Sequence, residues 1–109
     1  MNLTAEKNGN FSVLNIEGRL DTLNSPAFEA EINKIFNKGV KEIILDCTEM
    51  RYISSSGLRI FLIAQKKTIG LKGKLYICNL QPSIREIFEI SGFSTIFRIF
   101  GTRQEALES

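Results

Sequence analysis

Apolar positions in the first twenty residues fall in short runs of strand length. Leu3 to Lys7 and Phe11 to Glu17 read as two strands, the second with apolar residues on both alternating sets (Phe11 and Val13 against Leu14 and Ile16). Lys7-Asn8-Gly9-Asn10 lies between them, and Asn-Gly suits the two positive-φ positions of a type I′ turn, so a β-hairpin is predicted. Gly18 then breaks the strand, and Arg19 to Asn24 reads as a loop. From Ser25 the period changes: Phe28, Ile32, Ile35 and Phe36 share one helical stripe, with Glu29, Asn33 and Lys34 turned outward. Ser25 suits the N-cap, Pro26 the first helical position, and Glu29 and Glu31 the positive first turns. Gly39 supplies a left-handed stop.

Glu42 to Asp46 follows as a strand whose Ile43-Ile44-Leu45 run is apolar on both faces, the pattern of a central strand covered on both sides. Ser54-Ser55-Ser56-Gly57 opens a helix reaching about Leu71. Its apolar arc, Leu58, Ile60, Phe61, Leu62, Ile63 and Ala64, is wide enough to predict the most buried helix of the chain. Lys74 to Cys78 is another strand, and Pro82 starts a helix carrying Ile84, Ile87, Phe88 and Ile90 that stops at Ser91-Gly92. Ile96 to Phe100 is the last strand. Thr102 and Glu105 have capping-box spacing and start a terminal helix ending at Ala106-Leu107. The order is β-β-α-β-α-β-α-β-α. It predicts one α/β domain over residues 1–109: a mixed, mostly parallel sheet of about five strands, with an N-terminal hairpin, right-handed crossovers and about four helices.

Composition narrows the chemistry. Of 109 residues, 43% are hydrophobic and 24% charged, which supports a folded core. A net charge of +2 is too small to point to nucleic acid or a membrane surface. The chain has no histidine, which removes Ser-His-Asp and Cys-His catalysis, His-ligated zinc and a histidine pH switch. Cys47 and Cys78 are far apart and end apolar runs, so they read as buried free thiols in a reducing cytoplasm, with no metal site. No secretion signal and no run of about 20 apolar residues is present, so the expectation is a cytoplasmic protein with no membrane insertion. Phe93, Phe97 and Phe100 read as core packing in preference to a partner patch.

In open α/β sheets, function gathers where strand carboxyl ends lead into helices. Two segments qualify: Gly18 to Thr22, and Asp46 to Gly57. Three serines exceed what a cap requires, since one hydroxyl satisfies one helix N–H. The surplus admits two readings, a redundant cap in a tight turn or an anion site in which Gly57 allows close approach and Arg59 reaches the same spot. A phosphoryl group there would change the sign of the surface while leaving the fold intact. Nucleophilic serine chemistry is disfavoured: GxSxG is absent, and Lys66 and Lys67 lie about three turns down the helix. GxxxxGK[ST] is also absent. Asp46, at a strand end, reads as a structural acceptor of loop N–H bonds. No catalytic residue, cofactor or metal is predicted, and the chain is not expected to be an enzyme.

Ile43-Ile44-Leu45-Asp46 followed by Tyr52-Ile53-Ser54-Ser55-Ser56-Gly57-Leu58-Arg59 resembles the STAS domain (sulfate transporter and anti-sigma factor antagonist), and Gly18-Arg19-Leu20-Asp21 resembles that family's other recurrent stretch. The element order agrees along essentially the whole chain. Stand-alone members of this size are mostly anti-sigma factor antagonists, and the resemblance implies partner switching. The unmodified protein would bind an anti-sigma factor that is also a serine-protein kinase and so free a sigma factor. Phosphorylation at the helix start would dissolve the complex, and a phosphatase would reset it. Carried onto this chain, the phosphoacceptor is Ser56, with Ser55 as the alternative. Asp21, Thr22, Ser54, Ser55, Ser56, Gly57 and Arg59 would face the partner. Many members carry Asp where Ser54 stands. The alternative within the same fold is an accessory subunit of a membrane transport complex of the lipid-trafficking ABC type, for which Ser56 phosphorylation would be irrelevant.

Overall fold

The computed structural model describes all 109 residues. Its elements are β1 (Asn2–Asn8), β2 (Phe11–Leu20), α1 (Ser25–Asn37), β3 (Glu42–Asp46), β4 (Met50–Ile53), α2 (Ser55–Gly70), β5 (Lys74–Cys78), α3 (Pro82–Ile90), a 3₁₀ turn (Phe93–Thr95), β6 (Arg98–Phe100) and α4 (Arg103–Leu107). The strands form one mixed sheet in the order β1-β2-β3-β5-β6. Only β1 and β2 are antiparallel, joined by the hairpin. β2–β3, β3–β5 and β5–β6 are parallel, as the alternation of strands and helices predicts.

The hairpin loop is Gly9-Asn10, with Asn8 opposite Phe11. Only its first residue has a positive φ (Gly9, +63°). That excludes the expected type I′ turn and fits type II′, which needs glycine at the first central position.

The sheet has six strands where about five were expected. The extra one is β4, within a segment that had read as a connection. β2 is also longer than expected: Gly18 bends it without ending it, and Arg19 and Leu20 remain in the strand. At that bend, where the register shifts, β2 exchanges partners and its last residues pair in parallel with β4, Arg19 opposite Tyr52 and Leu20 opposite Ile53. β4 escapes a period-two reading because Met50 and Ile53 point inward while Arg51 and Tyr52 are both exposed.

One face of the sheet carries α1, α2 and α3. Leu14, Ile16, Leu20, Ile43, Leu45 and Ile77 meet Phe28, Ile32, Phe61, Ala64, Ile84 and Phe88 there in a single apolar cluster. The other face is covered by the short α4, whose Ala106 and Leu107 close a smaller cluster of Phe11, Val13, Ile44, Tyr76 and Cys78. Ile43-Ile44-Leu45 is thus covered on both sides, as its pattern predicts. α2 is not the most buried helix: it is buried only through Gly57, Ile60, Phe61, Ala64 and Thr68, and Ile63 and Ile69 look outward because nothing packs on its far side. Phe97 is buried among Phe61, Phe88 and Phe93, and Phe100 packs on Tyr76, as expected of core residues.

The start of α1 differs from expectation. Asn24 occupies the N-cap position without capping through its side chain, and Ser25 is the first helical residue. The Ser25 hydroxyl donates back to the Asp21 carbonyl (2.7 Å), and the Asn24 amide reaches the Arg19 carbonyl (2.7 Å). Both side chains hold the entering loop, which removes them from capping. Glu29 and Glu31 lie beyond the first turn. β6 is also shorter than expected, since Ile96 and Phe97 follow directly from the 3₁₀ turn.

Candidate functional site

The carboxyl ends of β2 and β4 lie side by side, and α2 starts directly above them. Gly57 sets how closely it sits: a Cβ there would come within 2.8 Å of Leu20 Cγ and 3.0 Å of Ile53 Cγ1, both on buried residues. Only glycine lets the first turn of α2 approach this far.

The three serines divide their work. Ser54 is the N-cap; its hydroxyl accepts from the Gly57 amide (3.2 Å) and its own amide donates to the Leu20 carbonyl (2.9 Å). Ser55 is exposed. Ser56 is half-buried, and its Oγ lies 3.4 Å from the Thr22 hydroxyl on the loop before α1. The helix is therefore capped without Ser56, and the Ser56 hydroxyl is bonded only to another hydroxyl.

A cleft of about 370 Å³ opens beside it. Ser56, Arg59 and Ile63 form its α2 wall, while Thr22, Pro26 and Glu29 form the wall of α1 and its loop. Leu23 at the loop tip is 89% exposed and Ile63 44%, so apolar side chains border the polar mouth. Arg19 stacks on Tyr52 with its guanidinium carbon 4.1 Å from the ring centroid.

The sequence-predicted site residues are thus largely brought together. Thr22, Ser56 and Arg59 line the cleft, Ser54 and Gly57 hold its α2 wall in place, and Ser55 lies exposed next to Ser56. Asp21 serves differently. Its carboxylate accepts from the Leu23 and Asn24 amides (both 3.1 Å) and thereby shapes the loop that presents Thr22; it makes no bond to Ser56. Sequence reasoning missed Pro26, Glu29 and Ile63 as cleft residues. Nothing short-range could have placed them, because their contact with α2 is tertiary.

The second cluster of charge lies on the α4 face. Asp46 is 5% exposed and accepts from the Thr48 amide (3.0 Å), the Thr48 hydroxyl (2.6 Å) and Arg103 Nε (2.9 Å). Arg103 also donates to Asn15 Oδ1 (2.6 Å) and to Glu6. Burial works to raise the Asp46 pKa, but the hydrogen bonds from Thr48 and Arg103 outweigh it and hold the carboxyl below its ordinary value. These bonds give Asp46 the structural role its position suggested. Burial pushes the Cys78 thiol up to about 12 and the Cys47 thiol well above the usual value, and both are free and buried. No cluster of three His, Cys, Asp or Glu residues arranged to hold a metal ion is present, and no helix is long and apolar enough to cross a membrane.

A hairpin leading into a parallel sheet, with a polar cleft at the carboxyl ends of its strands and a hydroxyl spared from capping on a firmly seated helix start, defines a small α/β module. The STAS domain family model matches residues 2–106, and the chain belongs to that family. It is 37% identical over 106 residues to BtrV of Bordetella bronchiseptica, proposed to be an anti-sigma factor antagonist, with 97% of this chain and 91% of BtrV covered. In three dimensions it resembles a Thermotoga maritima protein also proposed to be an anti-sigma factor antagonist (TM-score 0.93, 19% identity, 97% and 92% of the two chains). It resembles as well the phosphorylated form of the Bacillus cell fate determinant SpoIIAA (TM-score 0.77, 22% identity, 98% and 97%).

Proposed function

We propose that this chain is an anti-sigma factor antagonist that works by partner switching, with Ser56 as the phosphoacceptor. Unmodified, it binds an anti-sigma factor that is also a serine-protein kinase and so releases a sigma factor. The kinase transfers the γ-phosphoryl group of ATP to Ser56 Oγ: the new O–P bond replaces the bond to ADP, and the hydroxyl proton passes to a base of the kinase. The modified chain lets go, and a phosphatase hydrolyses the ester. The chain itself acts as a docking protein and kinase substrate in the cytoplasm, and performs no catalysis.

The observation that carries this reading is the Ser56 hydroxyl at the mouth of the cleft, released from capping by Ser54 and bonded only to Thr22. The 37% identity to BtrV supports the choice of partner class. Physical chemistry supplies the switch. A neutral hydroxyl enters an interface at little cost, whereas phosphoserine carries about −1.5 to −2 charges. Burying that charge without a counter-charge costs several kcal/mol, and each ~1.4 kcal/mol is tenfold in affinity.

Titration calorimetry against the cognate kinase tests the reading. Ser56→Ala is expected to keep binding and Ser56→Asp to weaken it by about a hundredfold or more, corresponding to roughly 3 kcal/mol. Equal affinities of the two variants would refute it. Mass spectrometry of the peptide Tyr52 to Arg59 from cells distinguishes Ser56 from Ser55 as the modified residue.

A further inference from the structure

We propose that Arg59 is the built-in counter-ion of a phosphoryl group on Ser56, so that modification both adds charge to the cleft and withdraws this guanidinium from the docking surface. The inference rests on the reading of Ser56 given above and concerns events inside the cleft once the phosphate is in place.

Six arginines occur in the chain, and five have partners. Arg19 stacks on Tyr52, Arg51 pairs with Glu49, Arg85 with Glu89, Arg98 lies over Tyr76 and Phe100, and Arg103 binds Asp46 and Glu6. Arg59 alone has none, although it shares a cleft with Glu29. It stands three residues after Ser56 on α2, so the two side chains rise from one face of the helix with Cβ atoms about 5–6 Å apart.

Arg59 is also the single cation lining the cleft. The one other charge lining the cleft is negative, Glu29 on α1, while the Asp21 carboxylate is held by the amides of its own loop. A phosphate on Ser56 thus meets repulsion from the α1 side and a free guanidinium fork on its own side. The fork matches phosphate oxygens in pairs. Thr22, 3.4 Å from the Ser56 oxygen, offers a further hydroxyl donor on the opposite wall. Because Ser54 already satisfies the Gly57 amide, Arg59 can turn to the phosphate without any cost to the helix cap.

The test reads the phosphate directly. Phosphoserine is installed at position 56 during translation, so that neither kinase nor partner is required, and its second ionisation is followed by phosphorus NMR. That pKa is ordinarily about 6. Arg59→Gln is expected to raise it by about half a pH unit or more relative to the parent, and Arg59→Lys by less, since a lysine keeps the charge and loses the fork. Arg85→Gln, which removes an arginine on α3 already paired with Glu89, is expected to leave it unchanged. The proposal is overturned if Arg59→Gln titrates like the parent, or if Arg85→Gln moves the value as far. Failure of the partner-switching reading would instead appear as equal affinities of the Ser56→Ala and Ser56→Asp chains, which this titration does not touch.

Discussion

Gly57 is the residue on which the site's geometry depends most directly. Replacing an exposed helical glycine by alanine ordinarily stabilises by about 0.5–1 kcal/mol, because it removes backbone freedom from the unfolded chain. Here the added methyl would sit 2.8 Å from Leu20 Cγ and 3.0 Å from Ile53 Cγ1, branch points and stems of buried side chains that cannot swing away. Overpacking of this kind costs about 1–3 kcal/mol and exceeds the gain. Gly57→Ala should therefore lower stability by about 1–2 kcal/mol in a denaturant titration, and hydrogen exchange should speed up first at the start of α2. Much of the site was legible at this scale. The serine run and Gly57 mark a helix start from sequence alone, with more hydroxyls than one cap needs. The resemblance pointed to Ser56, and only the fold shows that Ser54 is the cap. The role of Asp21 was not legible, since a carboxylate in a loop can face a partner or its own backbone, and only the folded loop decides between them.

At the scale of elements, the α4 attachment is the most electrostatic feature of the molecule. Arg103, the first residue of α4, ties that helix to β1 through Glu6, to β2 through Asn15 and to β3 through Asp46. Asp46→Asn preserves shape while depriving Arg103 of its buried partner, and should cost about 1–3 kcal/mol at neutral pH. The sign of the pH dependence follows from the lowered Asp46 pKa. The unfolded chain, with a carboxyl near 3.8, takes up its proton before the folded one does. The contribution of Asp46 is therefore complete above that value and disappears as pH falls through the folded pKa. Hydrogen bonding from Arg103, then from Asn15, likewise lowers the Glu6 pKa, an effect of the same direction at an exposed site. Melting temperatures of the parent and Asp46→Asn chains should differ most near pH 6 and converge toward pH 2; a gap that persists into acid would count against this account. The helices were readable because Pro26, Gly39, Pro82 and the Thr102/Glu105 pair mark their ends locally. β4 was not, because its pairing depends on a bend in β2 and its exposed residues are adjacent.

For the molecule as a whole, the sheet separates two unequal cores, and the thiols report on both. Cys47 belongs to the cluster under α1–α3 and Cys78 to the one under α4. Each is fully covered, with a pKa far above neutrality, so reaction requires opening of the structure. A thiol reagent at pH 7 should label neither in the native state and both in denaturant, with Cys78 reacting first if α4 detaches separately. Cover on both faces of the sheet was legible from the alternation of elements and the doubly apolar Ile43-Ile44-Leu45 run. The cleft was not, because its walls lie on two helices separated in the chain by β3 and β4. The separation of duties between Ser54 and Ser56 carries one more consequence. Since the hydroxyl that stabilises the helix is distinct from the one proposed for esterification, the chain would pass between its written and erased forms without refolding. Information about past kinase activity would then persist as a covalent mark on an unchanging scaffold, for as long as no hydrolase removes it.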